Sequence, residues 1–289
     1  MHQENESSNL LVLGTAQDGG YPHTGCSEDC CREAWKDSNQ IRLIASLAVL
    51  DGKDCFLIDI TPDFNYQLQL IECHINEKPR ISGICITHAH LGHYMGLLEL
   101  GLEVMNTNAI PVYVMPKMKS FLENNAPFTQ LLELNNIRLF VLQDNCPVDI
   151  SKDVKIIPFQ VPHRNEYSET VGYRIQSSHQ SVLYIPDIDS WDEWYADINE
   201  LIKENNIALL DGTFYDKTEL QNRDVSAIPH PSIRESMKQF SVLDKVDREK
   251  VYFTHLNHTN NVLQDGSEER ADVIEHGFQI AFDGMTVSI

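Results

Sequence analysis

Ile86-Thr87-His88-Ala89-His90-Leu91-Gly92-His93 decides how this chain reads. The apolar residues Ile81, Ile84, Cys85 and Ile86 predict a buried strand before the histidines. Tyr94-Met95-Gly96-Leu97-Leu98-Glu99-Leu100 predicts a helix after them. His88 and His90 stand two apart, so at the end of an extended strand both side chains point to one side. His93 comes three later, where a tight turn or a first helical turn returns it to the same place. Three imidazoles gathered at a strand end are costly unless something uses them, and a divalent metal is the usual user. A histidine-rich surface loop is the plainer alternative; the strand–loop–helix context favours the metal.

Outward from this motif, single site-type residues recur where strands end. Residues 154–159 read as a strand running into Val161-Pro162-His163, residues 181–187 as one ending in Asp187, and residues 250–255 as one ending in His255. Residues 46–50 and 54–59 are joined by Asp51-Gly52-Lys53, a hairpin signal. The second of these ends in Asp59, a carboxylate that either caps a helix or orients metal-binding histidines. Further strands are expected at 10–13, 112–115, 137–142, 170–175 and 208–213, and helices at 64–75, 116–124 and 191–205. A final hairpin is expected over 279–285. His230, in Pro229-His230-Pro231, lines the substrate side or is a plain loop residue. The chain has no linker, low-complexity run or internal repeat, so residues 1–289 are expected to form one domain.

Composition narrows the class. The chain has 289 residues, 42% hydrophobic and 22% charged, as in ordinary globular enzymes. A net charge of −21 argues against nucleic acid, whose phosphates demand a basic face. No window of about 18 apolar residues exists, so no membrane span is expected. The polar start Met1-His2-Gln3-Glu4-Asn5-Glu6-Ser7-Ser8-Asn9 does not read as a signal peptide, and seven cysteines, an odd number, point to a reduced cytoplasmic setting. Cys55, Cys73, Cys85 and Cys146 are scattered in apolar runs. Cys26, Cys30 and Cys31 cluster in a polar loop, which suggests a zinc site in need of a fourth ligand. Before them, Gly14-Thr15-Ala16-Gln17-Asp18-Gly19-Gly20 lacks the lysine and spacing of a phosphate-cradling loop. It reads as a tight turn in which Asp18 either caps its own backbone or reaches a site.

The order of HxHxxH, a lone His, a lone Asp and a last His resembles the metallo-β-lactamase superfamily. More narrowly, Gly14–Gly20, Thr87–Tyr94, Asp211-Gly212-Thr213-Phe214 and Phe282-Asp283-Gly284-Met285 resemble the pyrroloquinoline quinone biosynthesis protein B family. The resemblance implies an α/β fold, a four-layer αββα sandwich with metals at one edge of its two sheets. It also implies one metal on His88, His90 and His163, a second on His93 and His255, and Asp187 bridging them. Cyclic phosphodiesterases of the superfamily hold a structural zinc with N-terminal cysteines and a His three residues past the last active-site His. Here that residue is His258, which would complete Cys26, Cys30 and Cys31. One departure stands out: the superfamily's Asp before the third motif histidine is Gly92 in this chain. The second site is therefore expected to be one anionic ligand short, unless water or Asp18 fills the gap.

The implied chemistry is hydrolysis of a small ester, thioester, lactone or phosphodiester by metal-bound hydroxide, with Asp187 and His230 as the catalytic residues and Asp59 and Asp18 behind the ligands. Zinc is the expected metal, with iron or manganese as alternatives in the active site. An iron-dependent oxygenase in quinone biosynthesis and a non-catalytic metabolite carrier are the competing expectations. The expected partner is a small-molecule substrate, and nothing in the chain signals an oligomeric state.

Overall fold

The structure, a computed structural model, describes residues 8–219 and 229–289. The polar start read above lies, as far as Ser7, outside them. In chain order β1 (Asn9–Gly14), β2 (Ser46–Asp51), β3 (Asp54–Ile58), β4 (Arg80–Cys85), β5 (Ile110–Val114) and β6 (Ile137–Val141) build a first sheet. The chain then crosses to a second sheet of β7 (Val148–Asp149), β8 (Lys155–Gln160), β9 (Val171–Gln176), β10 (Ser181–Ile185), β11 (Ile207–Asp211), β12 (Val251–Thr254) and β13 (Gln279–Ile280). Last, β14 (Thr286–Ser288) returns to the first sheet beside β1. Both sheets are mixed. Antiparallel pairs link β14, β1, β2 and β3, and again β7, β8, β9 and β10; the remaining neighbours are parallel.

The alternation of side chains along each strand explains the layers. Leu10 and Val12 of β1 pack between the sheets with Leu47, Val49, Phe56, Tyr173, Val182 and Leu209. Leu11 and Leu13 point the other way, with Ala48, Leu57, Phe64 and Ile71, under the helix Phe64–Ile75. On the far side, Leu183, Ile185, Ala208 and Leu210 pack with Ile198, Ile202 and Phe240 under the helices of the second sheet. Strands covered on both faces read as continuous apolar runs, as 10–13 does. Each fully buried Leu or Ile contributes about 1.5–3 kcal/mol. Three apolar clusters between four layers are the αββα sandwich that the sequence resemblance implies.

Three local expectations change. The segment 191–205 is helical only over Ile198–Glu204, begun by Asp197, whose side chain accepts from Asn199 N. Trp191 and Trp194 are buried for another reason: their indole N–H groups donate to Ser236 Oγ (2.9 Å) and Gln160 O (2.8 Å). Residues 279–285 do not form a hairpin, because β13 joins the second sheet while β14 joins the first. The half-buried Asp283 in between accepts from Thr15 Oγ1 and Leu43 N and ties the crossing to the Gly14–Gly20 turn. The helix after the histidine motif is a short α-turn, Leu91–Tyr94, followed by a 3₁₀ segment, Met95–Leu100. Gly96 explains it: its N–H donates outward to Ile60 O, and a Cβ there would lie 2.3 Å from Thr61 O.

Topology places the site. β3 and β4 run parallel, as do β10, β11 and β12, and β8 shares the direction of β10 across the antiparallel β9. The carboxyl ends of these strands therefore gather at one edge, and Val171 N donates to Thr87 O (3.1 Å) where the two sheets meet.

Candidate metal centre

Every strand-end residue singled out from the sequence arrives at this edge. Asp187 follows β10 and is 2% exposed, at the middle of the group. Its Oδ2 lies 3.4 Å from His88 Nε2, 3.2 Å from His93 Nε2 and 3.3 Å from His255 Nε2; its Oδ1 lies 3.7 Å from His163 Nε2. His90 presents Nδ1 at 3.2 Å from His163 Nε2. His88, His90, His163 and Asp187 thus converge as one donor set, and Asp18, His93 and His255 as a second.

Two carboxylates set the rings in the same way. Asp59, after β3, accepts from Thr87 N (2.8 Å), from Thr87 Oγ1 (2.9 Å) and from His93 Nδ1 (2.7 Å). The Thr87 hydroxyl in turn accepts from His88 Nδ1 (3.0 Å). Asp211, at the end of β11, accepts from Thr213 N (2.9 Å), Thr213 Oγ1 (2.8 Å), Ile188 N (3.0 Å) and His230 Nδ1 (2.7 Å). The Thr213 hydroxyl accepts from His255 Nδ1 (3.1 Å). His163 Nδ1 donates to Asp189 (2.7 Å). With their Nδ1 atoms so engaged, His88, His93, His163 and His255 turn Nε2 toward Asp187, the arrangement by which outer carboxylates orient metal-ligating imidazoles. Asp59 is fully buried and caps no helix, so of its two sequence readings the orienting one describes its contacts. Backbone strain sits at the same places: Asp59 (φ 65°) and His255 (φ 58°) are left-handed without being glycine.

The electrostatics fit a bound cation. His88 Nε2, His93 Nε2, His255 Nε2 and Asp187 Oδ2 are buried and none has an aligned hydrogen-bond partner, although they face one another at 3.2–3.4 Å. Leaving such atoms unsatisfied costs about 1–3 kcal/mol each, and a divalent ion satisfies them together. Burial, then the neighbouring His93, holds the His88 imidazole well below its usual range, in the neutral form that ligates metals. Burial pushes His90 down to about 4. Burial alone would raise Asp187, but His255, His163, His93 and His88 outweigh it and keep the carboxylate ionised. Burial also opposes the charged form of His230, yet Asp211 and then Asp187 raise it to about 9.

The other cluster forms as well. Cys26 Sγ lies 3.6 Å from Cys30 Sγ, and the Sγ atoms of Cys30 and Cys31 each lie 3.4 Å from His258 Nδ1. Burial and the adjacent thiols push Cys30 up to about 12. Three thiolates can share this space only around a cation, so the donor set suits zinc.

Sequence reading missed Asp189, Asp211 and the two threonine hydroxyls. The Asp187-Ile188-Asp189 repeat was a signal for the first, and the strand-end position of Asp211, matching Asp59, for the second. Where a gap was expected at Gly92, Asp18 Oδ1 accepts from Gly92 N at 3.1 Å and lies 3.5 Å from His93 Nε2.

Residues 55–256 match the family model described as Beta-lactamase superfamily domain. Coenzyme PQQ synthesis protein B of Cupriavidus taiwanensis is 25% identical over 97% of this chain and 99% of its own length. Among solved structures, the Zn2+-bound PqqB from Methylobacterium extorquens superposes with a TM-score of 0.82 at 22% identity, covering 97% of this chain and all of that one. A diphosphatase from the PhnP family superposes with a TM-score of 0.68 at 24% identity, over 97% of this chain and 96% of its own.

Proposed function

From the premise that this chain belongs to the metallo-β-lactamase superfamily, we propose that it is a metal-dependent hydrolase of a small ester or phosphodiester. The observation behind this reading is one carboxylate, Asp187, with three imidazole nitrogens within 3.4 Å of one oxygen and two more within 3.7 Å of the other. The proposed ligands are His88, His90 and His163 for one ion and His93 and His255 for the other, with Asp187 shared. Bound there, divalent ions supply Lewis acidity to the scissile group and lower the pKa of water toward roughly 7.

The chain's own residues do the rest. Asp59 and Asp189 fix the rings of His93 and His163, so no reorganisation is needed when substrate arrives. His230, with Nδ1 committed to Asp211, offers Nε2 as the position from which a proton reaches the departing oxygen. Cys26, Cys30, Cys31 and His258 are proposed to hold a structural zinc that ties the N-terminal loop to the end of β12. That PqqB from Methylobacterium extorquens is Zn2+-bound supports zinc as a metal of this chain, without assigning it to either site.

A second reading rests on a different observation, the likeness to coenzyme PQQ synthesis protein B across nearly the whole length of both chains. It makes the site an iron centre for an oxygen-dependent step in quinone biosynthesis, a chemistry that histidine-rich centres also support. A non-catalytic carrier is disfavoured, since a carrier has no need of so complete a ligand set. One experiment separates these readings. Metals are counted in protein purified anaerobically, and hydrolysis of bis(p-nitrophenyl) phosphate is assayed alongside. About three zinc ions per chain with hydrolysis supports the hydrolase. Iron in the active site, no hydrolysis and oxygen uptake supports the second reading and overturns the first.

A further inference from the structure

Gly92 and Asp18 are two halves of one feature. A Cβ built on Gly92 would lie 2.3 Å from Asp18 Oδ1 and 2.8 Å from Asp18 Cα. The Asp18 carboxylate thus stands where a side chain at position 92 would have to go, and the Gly92 N–H donates to it. Asp18 Oδ1 is 3.5 Å from His93 Nε2, and Asp18, His93 and His255 offer donor atoms within 4.8 Å of one another. Both imidazole nitrogens of that trio are buried and lack hydrogen-bond partners, so the corner that Asp18 faces is built for a ligand.

The turn that bears Asp18 is fixed to the same corner. Gln17 N donates to Leu256 O (2.9 Å) and Leu256 N to Thr15 O (2.8 Å), so the backbone next to His255 is clipped to the backbone next to Asp18. Gly20 N closes the turn on Gln17 O (2.7 Å), and Gln17 Nε2 donates to Asp18 Oδ2 (3.3 Å), which leaves Oδ1 directed at Gly92 and His93. Asp18 is therefore held by the turn, by Gln17 and by Gly92, and does not depend on a mobile side chain.

We propose that Asp18 is a direct ligand of the second active-site metal, supplied from the N-terminal turn in place of a carboxylate at position 92, and that residue 92 is glycine to admit it. This rests on the reading of the site as a two-metal centre. The second ion is then bound by Asp18, His93 and His255 with Asp187 shared, and its anionic ligand count is complete. Because the turn leads straight into the Cys26–Cys31 segment, the second ion and the thiol cluster both clamp the N-terminal segment to the end of β12.

The test titrates the metal-depleted full-length chain with Zn2+ by calorimetry and follows the Co2+-substituted protein by its ligand-field spectrum. The natural chain is expected to take two active-site ions. Asp18→Ala is expected to weaken the second by more than the 10–100-fold typical of a residue that only orients a ligand, and to shift the Co2+ spectrum. Gly92→Asp alone crowds Asp18 and is expected to disturb the same ion. The pair Asp18→Gly with Gly92→Asp is expected to recover the second ion, which a merely structural role for Asp18 would not allow. Two equally tight ions and an unchanged spectrum in Asp18→Ala would overturn the proposal while leaving the two-metal reading intact. No active-site ion in the natural chain would overturn both.

Discussion

Asp59 on the first sheet and Asp211 on the second do the same local work with different results. Each stands at the carboxyl end of a strand with a parallel neighbour, holds one imidazole directly and holds a second through a threonine hydroxyl. Around Asp59 both rings, His88 and His93, direct Nε2 at Asp187 Oδ2. Around Asp211 only His255 does; the Nδ1 of His230 lies 3.6 Å from the other oxygen of Asp187 and is already bonded to Asp211. One device thus aims two rings at Asp187 Oδ2 on one side, and on the other aims one ring there and keeps the Nδ1 of the second, His230, on Asp211. A carboxylate–imidazole pair fixes a ring's direction, and what lies along that direction decides the ring's role.

The comparison can be broken at its shared centre first. His163, held by Asp189 beside Asp187, belongs to neither carboxylate, and His163→Ala is expected to remove an active-site ion. Activity should fall by about 10³-fold or more, equal to at least about 4 kcal/mol of barrier, with metal content and turnover measured on one sample. Full metal content in that variant would refute the ligand assignment.

A subtler variant tests the asymmetry. His230→Ala should lower kcat by roughly 10²–10⁴-fold, the range for a lost general acid, while both active-site ions stay bound. Loss of an ion along with activity would make His230 a ligand and the two sides alike.

The mildest change falls on the first sheet. Asp59→Asn keeps the size of the residue but weakens its hold on His93 and Thr87, and should cost about 10–100-fold in metal affinity with the ions still able to bind. Equilibrium competition with a chelator reads this directly. No change in affinity would show that burial alone sets the rings.

Much of this could be read from one dimension. Runs such as 10–13 and 46–50 announce strands covered on both faces, and the helix predicted over 64–75 is Phe64–Ile75 itself. The metal-type residues at strand ends, His88, His90, His93, His163, Asp187 and His255, were legible because a strand's end is local and their residue types are chemically distinctive. Three thiols in one polar loop were legible for the same reason. The spacing of Trp191 and Trp194 misled because a helical period was really two separate anchors to Ser236 and Gln160. The segment 279–285 misled because a turn motif does not say whether its flanking strands pair with each other or with different sheets.

Periodicity, turn chemistry and residue type are properties of neighbours in the chain, and they determined the strands, the ligand candidates and the thiol loop. Which carboxylate orients which ring depends on packing between distant segments, so only the tertiary structure assigned Asp189 to His163 and Asp211 to His230. Gly92 shows the division most plainly. Read alone it is a missing ligand; in the fold, 74 residues of chain separate it from the carboxylate that fills its place. A local pattern can reveal that a donor is absent, but only the packing of distant segments can supply one from elsewhere.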